Sequence, residues 1–324
     1  MSRLAKCIGI GLLLFAISCS SAAATGWQHI GNVQRVEKLP DGVELTAGSA
    51  KVRITAFRDG VIRVRLAPQG SFPKDFSWAI VESPDLPAFS VDDGKTELRM
   101  TVGRIIVIVK KAPLLITFAD SAGNILLSDE PSLPMAWGGT YIHAWKHMPS
   151  DGNYFGLGDK PGPMNRRNHA YTMWNTDFFG WQESDDPLYK TIPFFMGLRK
   201  GTAFGVFFDN TYRSSFDFGK ESPDYFSFGA EGGELNYYFI AGPEPKKIVQ
   251  QFTALVGRTP LPPLWSLGYQ QSRYSYYPEA RAREVVQTLR EKKIPATSFI
   301  LTSIISRATP PSPLTETFFR ISKR

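Results

Sequence analysis

Cysteine is nearly missing from this 324-residue chain: the two present, Cys7 and Cys19, both lie in the first two dozen residues. Beyond them no disulfide and no thiolate metal site can form. No Asn-x-Ser/Thr acceptor occurs, so nothing marks a glycosylated eukaryotic route. Histidine is scarce as well, with His29, His143, His147 and His169 scattered along the chain. His143 and His147 have i, i+4 spacing, but their Trp- and Pro-containing stretch reads as loop and offers no third ligand, so no metal site is expected. No cofactor is expected either, because no Gly-rich phosphate loop stands out. Lys/Arg clusters are absent. The formal charge of +7 includes Arg3 and Lys6 at the start, and Arg307, Arg320, Lys323 and Arg324 against Glu316 at the end, which leaves about +2 on the body. Binding to nucleic acid or to a membrane surface is therefore not expected.

The longest apolar run, Ile8 to Ile17, is too short for a bilayer span of about 20 residues. With Arg3 and Lys6 before it and Ala22-Ala23-Ala24 after it, residues 1–24 read as a signal peptide cleaved after Ala24. The expected location is the bacterial periplasm or the medium. Cys19 behind Ala16-Ile17-Ser18 is a weaker, lipoprotein-type alternative, since a branched Ile stands where a small residue is usual.

Glycine and proline are plentiful, 28 and 24, which favours turn-rich β structure. From Gly26 to about Ser150 short alternating runs follow one another: VRITAF (52–57) and VIRVRLA (61–67) around Arg58-Asp59-Gly60, then ELRMTV (97–102), RIIVIVKK (104–111) and LLITFAD (114–120). This rhythm predicts an antiparallel sandwich with one face of each sheet buried and one wet. It continues through Thr202–Asp209, Ser214–Gly219 and Glu234–Ile240, with Asp159 to Asn175 read as a long irregular loop. Pro245 to Gly257 breaks it with helical spacing of apolar residues at 248, 249, 252, 255 and 256, stopped by Gly257. A Pro-rich joint at 259–263 precedes a buried strand over Trp265–Gln271, a helix from Pro278 with an Ala282, Val285, Val286, Leu289 stripe, and a further strand entered at Ile294-Pro295. Strand, helix, strand is the opening unit of a β/α barrel.

Six aromatic- and glycine-rich blocks lie in order between Tyr154 and Tyr276: YFGLGDK (154–160), YTMWNTD (171–177), PLYKTIPFFMGL (187–198), AFGVFFDNTYRSSFDFG (203–219), AEGGELNYYFIAGP (230–243) and TPLPPLWSLGYQQSRYSY (259–276). Together they resemble glycoside hydrolase family 31, the α-glucosidase and α-xylosidase family. The resemblance is specific over roughly 150–296 and rests on β pattern alone over 30–150. It implies a galactose-mutarotase-like β-sandwich over 26–258 and the start of a TIM barrel over 259–296. It also implies an α-linked oligosaccharide or glycoside as partner, and hydrolysis with retention through a covalent glycosyl-enzyme, without cofactor.

Glycoside hydrolysis takes two carboxylates flanking the scissile bond, and sugar recognition adds aromatic faces and planar polar groups. WNTDFFGWQESDD offers both, with Trp174, Phe178, Phe179 and Trp181 beside Asp177, Glu183, Asp185 and Asp186. Asp177 matches the family position that hydrogen-bonds the bound sugar; its plainer reading is a turn or capping Asp. Trp174 is taken with it as substrate-binding. Tyr274, just after the first barrel strand, matches a pocket-lining position, against an alternative as an aromatic plug. Arg273 reads as structural. Asp209, Asn210 and Arg213 in DNTYRS read as scaffold, with Arg213 holding the turn by a bidentate bond to a carboxylate. The family places both catalytic Asp residues far downstream, so no catalytic residue is assigned.

After Ala296 the family continues with a strand of the type DVIYTDIDY, whereas this chain reads TSFILTSIISRATPPSPLTETFFRISKR. Joining the last base of each codon to the first two of the next lets codons for this stretch encode D-V-I-Y and then T-D-I-D-Y-Q. Residues 297–324 are thus expected to be a frameshifted tail, a barrel cut to about one unit of eight, and the product inactive and unstable. Two other readings are a stand-alone carbohydrate-binding sandwich and a scaffold domain without sugar affinity.

Overall fold

A computed structural model describes residues 26–81, 84–273 and 276–301, and the chain divides after Gly257 into two units. The expected signal segment, with Cys7 and Cys19, and the tail beyond Leu301 lie outside the described residues.

The larger unit is built from three antiparallel sheets. Its eight-stranded sheet runs, in spatial order, Asn153–Gly158, Thr191–Arg199, Thr202–Phe208, Leu235–Ala241, Val61–Ala67, Ala50–Arg58, Gly42–Ala47 and Arg35–Leu39. One face of it meets a five-stranded sheet spanning Phe89–Asp93 to Ile125–Ser128 and a six-stranded sheet centred on Tyr141–His147 and Tyr225–Ala230. The main core lies between them: Phe118 stacks on Phe239 at 4.2 Å, and Phe195 meets Phe216, Phe218 and Phe226 edge-on at 5.0–6.0 Å. Each such fully buried ring contributes roughly 1.5–3 kcal/mol. The mainly-β sandwich expected from the sequence is the observed fold. Glu97–Val102 shows the expected alternation, with Leu98, Met100 and Val102 inward and Arg99 and Thr101 exposed.

Val61–Ala67 departs from it, because every one of its residues is buried. The second face of the eight-stranded sheet is covered, not wet. Helix Pro245–Val256 lays Ile248 and Leu255 on Phe57, Val61, Phe194, Phe207 and Ile240. The helix ends at Gly257 (φ 93°), as its glycine stop predicts. Its buried face differs slightly from the expected one: Val249 is exposed, and Gln251 is turned in to donate to the Asp59 carbonyl at 3.0 Å. Arg63 and Arg65 occupy the rest of that face. Arg63 grips Asp75 through two 2.8 Å bonds and donates to Asn236 at 2.9 Å, while Arg65 binds Glu234 at 2.5 and 2.7 Å. Asn236 in turn donates to Asp209, whose other oxygen accepts from Ser77. This network fastens the irregular segment around 71–80 to the sheet, with Phe76 and Trp78 left exposed on it.

Between the sheets sits one enclosed charge pair. Lys146 Nζ donates to Asp129 and to Tyr237 Oη (2.9 Å), and Asp129 Oδ2 accepts the Ile116 amide at 2.7 Å. Burial opposes the Lys146 charge, but Asp129 outweighs it and holds the ammonium above the ordinary lysine range. On the outer face of the six-stranded sheet His143 lies 4.2 Å from Trp145 and 6.0 Å from Trp27. Burial lowers its pKa to about 4. His143 and His147 belong to strand Tyr141–His147, not to a loop, and no cluster of three metal-ligating side chains occurs among the described residues.

The smaller unit pairs Tyr269–Arg273 in parallel with Ala296–Leu301 across helix Glu279–Glu291. The expected strand over Trp265–Gln271 begins instead as a 3₁₀ turn, Leu264–Leu267, because Pro262 and Pro263 can neither donate to a ladder nor extend it. Leu264, Trp265 and Leu267 are exposed. On the helix Ala282 is buried and Val285, Val286 and Leu289 are half-buried, which is the expected stripe. Sequence reasoning ends the barrel-like pattern at Ala296, yet the strand runs to Leu301, since Thr297, Phe299 and Ile300 suit a pleated pairing.

Candidate functional site

The connection that matters most follows strand Ala170–Met173. That strand, paired with Ser214–Asp217, interrupts the loop expected over Asp159 to Asn175, which is irregular over 159–169 as expected. Beyond Met173 the chain leaves as a loop whose stem is closed by Thr176 and Tyr189, with amide-to-carbonyl bonds of 3.1 and 2.8 Å. Asn175 Oδ1 accepts both the amide and the hydroxyl of Thr191, at 2.9 and 3.1 Å, which locks the neck of the loop to the next strand. Tyr189 Oη donates to the Phe178 carbonyl at 3.1 Å.

The loop is braced from beneath by two cations. Lys160 Nζ donates to the Thr172 carbonyl at 2.5 Å and to Asp186 at 2.9 Å, its side chain fully enclosed. Burial lowers the Lys160 pKa from its ordinary value, and Asp186 opposes that shift. The second oxygen of Asp186 accepts the Thr172 amide at 2.5 Å. Arg166 donates to the carbonyls of Gly156, Lys160, Pro161 and Pro163, at 3.0–3.3 Å, with its guanidinium over the Tyr171 ring. Three of these carbonyls, those of Lys160, Pro161 and Pro163, lie in irregular chain outside any strand and are thereby paired. Both cations were absent from the sequence-level candidates. YFGLGDK signalled the block, but no residue-type pattern says that a lysine or arginine will serve backbone carbonyls.

On this support Asp177 stands exposed, and its carboxylate makes no hydrogen bond or ion pair among the described residues. Around it Trp174, Phe178, Phe179 and Trp181 are exposed too, Phe179 completely. A free carboxylate among unshielded rings is a chemical match for a hydroxyl-bearing, partly apolar ring such as a sugar. Asp185 and Asp186 are used internally: Asp185 caps a turn through the Gln182 amide at 2.5 Å. Next to the loop neck lies a hollow of about 370 Å³ lined by Trp174, Asn175, Thr191, Asn210, Thr211 and Tyr212 among others.

The expected site residues therefore fare differently. Asp177 and Trp174 lie on one exposed loop of one unit. Tyr274 falls outside the described residues. Asp209 and Asn210 are scaffold in detail: Asn210 donates to the carbonyls of Gly232 and Glu234 and accepts the Tyr212 amide at 2.7 Å. Arg213 is not the bidentate clamp expected; it meets Glu231 through one 3.5 Å contact, and both side chains are about half exposed.

Comparison with known proteins places these features. The model of the glycosyl hydrolase 31 N-terminal galactose mutarotase-like domain matches residues 51–217, and that of the glycosyl hydrolases family 31 TIM-barrel domain matches 259–307. An α-glucosidase 2 from Bacillus thermoamyloliquefaciens is 37% identical over 82% of this chain and 34% of its own length. An α-xylosidase from Lactiplantibacillus pentosus is 33% identical over 49% of this chain and 20% of its own. A Flavobacterium johnsoniae dextranase, solved with isomaltotriose, superposes with a TM-score of 0.77 at 34% identity, over 83% of this chain and 33% of the dextranase. The chain thus spans about a third of the length of the α-glucosidase and dextranase it matches.

Proposed function

The chain belongs to glycoside hydrolase family 31, and on that premise we propose that it is the N-terminal portion of an exported glycosidase acting on terminal α-O-glycosyl bonds. The observation that carries this reading is the free, exposed carboxylate of Asp177 on its braced aromatic loop. In this proposal Asp177 accepts a sugar hydroxyl, and Trp174 offers its ring to a sugar face. Tyr274 completes the pocket by its match to the family position. The sandwich contributes a wall of the active site. The two carboxylates that protonate the leaving group and form the glycosyl-enzyme come from barrel strands downstream in the family's order.

In this proposal residues 297–324 are read out of frame by a one-base deletion near codon 296. Export follows from residues 1–24, with cleavage after Ala24. The nucleotide sequence across codon 296 tests the central claim: the shifted frame is expected to run on through further barrel strands. A chain with the frame restored should hydrolyse an aryl α-glucoside or α-xyloside with retention, and Asp177→Ala should raise KM about tenfold, as for one lost charge-assisted bond. Absence of an open shifted frame would overturn the frameshift, and no hydrolysis by the restored chain would overturn the glycosidase reading. A second reading, a stand-alone carbohydrate-binding sandwich, is favoured by one observation: residues 26–257 close two apolar cores among themselves.

A further inference from the structure

The hollow beside the loop neck has more organisation than a gap between loops. Strand register creates it: Met173 pairs with Ser214, so Trp174, one residue past the pair, and Tyr212, two residues before it, emerge at the same end of the ladder. Each of these large rings is about half exposed, at 49% and 56%. Tyr212 is fixed without being covered. Its amide donates to Asn210 Oδ1, and its ring lies against Gly232 and Gly233, where an added Cβ would come within 2.7 and 2.9 Å of ring carbons. Only a glycine pair lets the ring lie that close, and Gly233 (φ 81°) also takes the left-handed backbone that glycine tolerates. The rest of the wall mixes polar side chains, among them Asn175, Thr191, Asn210 and Thr211, with the apolar Met173 and Pro193. The volume of about 370 Å³ lies within the range of ligand sites, roughly 300–1,000 Å³.

Two uncovered aromatic faces stand beside the Asn175 amino group and the Thr211 hydroxyl, both uncommitted among the described residues. With no charged side chain in the lining, they are chemistry for a neutral polyhydroxylated ligand. We propose that this hollow is a saccharide-binding subsite of the sandwich, holding a stretch of α-linked gluco-oligosaccharide against Trp174 and Tyr212. The choice of α-linked glucose rests on the function proposed above; the hollow itself rests on the geometry. Tyr212 was hidden in a string read as scaffold, and it binds sugar here through its ring, with Asn210 acting on it as a positioning residue. Chain segments continuing from a sugar at Asp177 would then be held by rings that do not touch the scissile bond.

The test titrates the 324-residue chain with isomaltotriose and with maltotriose, followed by calorimetry and by tryptophan fluorescence, with cellobiose as the β-linked control. Saturable binding is expected for an α-linked trisaccharide. Tyr212→Ala and Trp174→Ala should each weaken it at least tenfold, whereas Tyr212→Phe, which keeps the ring, should stay within threefold. Both alanine variants are compared with the parent by near-UV circular dichroism, and the Phe variant carries the decision if either fails to fold. Absence of saturable binding, or undiminished binding after both ring removals, overturns the subsite. Loss of binding in Asp177→Ala alone would leave the Asp177 reading standing and remove the hollow. Loss in Tyr212→Ala with binding kept in Asp177→Ala would do the reverse, Trp174 being shared by both readings.

Discussion

Lys160 and Asp186 meet at 2.9 Å with the lysine side chain wholly enclosed, and through Thr172 the same pair clasps both the carbonyl and the amide of one strand residue. The aromatic loop therefore hangs from a charged bond beneath it. Lys160→Met should cost about 1–3 kcal/mol, since a charge-assisted pair is lost and the Thr172 carbonyl is left short of a donor. Urea unfolding reads the stability change, and faster hydrogen exchange confined to 172–190 reads the loosening. Unchanged exchange in that stretch would separate the pair from the loop.

The Lys146–Asp129–Tyr237 group makes a sharper expectation. Lys146→Met strands a carboxylate with 1% exposure, and breaking such a pair costs about 3–5 kcal/mol. Adding Asp129→Asn removes the stranded charge while keeping an oxygen for the Ile116 amide. The double variant should be more stable than the single one in urea. Equal stability would show that water reaches the site.

His143 ties stability to pH. Its folded pKa of about 4 lies below the ordinary value of 6.5, so the native protein holds it neutral. As pH falls through about 6.5 the unfolded chain takes up a proton that the native chain refuses, and stability declines until about pH 4. The full shift corresponds to roughly 3 kcal/mol. Glu44 and Asp75, both lowered, act in a separate window: their contribution is present above the unfolded carboxylate pKa and is lost as pH falls through the folded value. His143→Gln should flatten the melting temperature between pH 6.5 and 5 and leave the steeper loss below pH 4.5 in place.

Arg63→Met should release the segment around 71–80. It deletes two bonds to Asp75 and one to Asn236, leaving Asn236 underpaired inside the sheet. A protease cut between 71 and 80 in the variant, with the parent resistant there, is the expected result. A stability cost of about 1–3 kcal/mol should accompany it.

Much of this molecule was legible in its sequence, for identifiable reasons. Period-two runs such as ELRMTV gave strands at the expected positions, and Gly257 stopped the helix because only glycine readily takes its φ of 93°. What escaped depended on neighbours distant in the chain. Arg63 and Arg65 look like the wet side of a strand until segment 71–80 and Glu234 are folded over them. Ala170–Met173 is only four residues long and gains its strand character from Ser214–Asp217. In the site, Asp177 could be found by matching a motif. Tyr212 could not, since its nearness to Trp174 is a product of register and its support comes from two glycines twenty residues later.

The adjacency of Leu235–Ala241 and Val61–Ala67 in the eight-stranded sheet has a consequence for how the protein is made. A ribosome adding about 5–20 residues per second needs on the order of ten to thirty seconds to pass from one strand to the other. Throughout that interval the apolar Val61–Ala67 edge has its partner strand Ala50–Arg58 on one side and nothing native on the other. The nascent chain thus carries an open ladder until the last strand before the helix emerges.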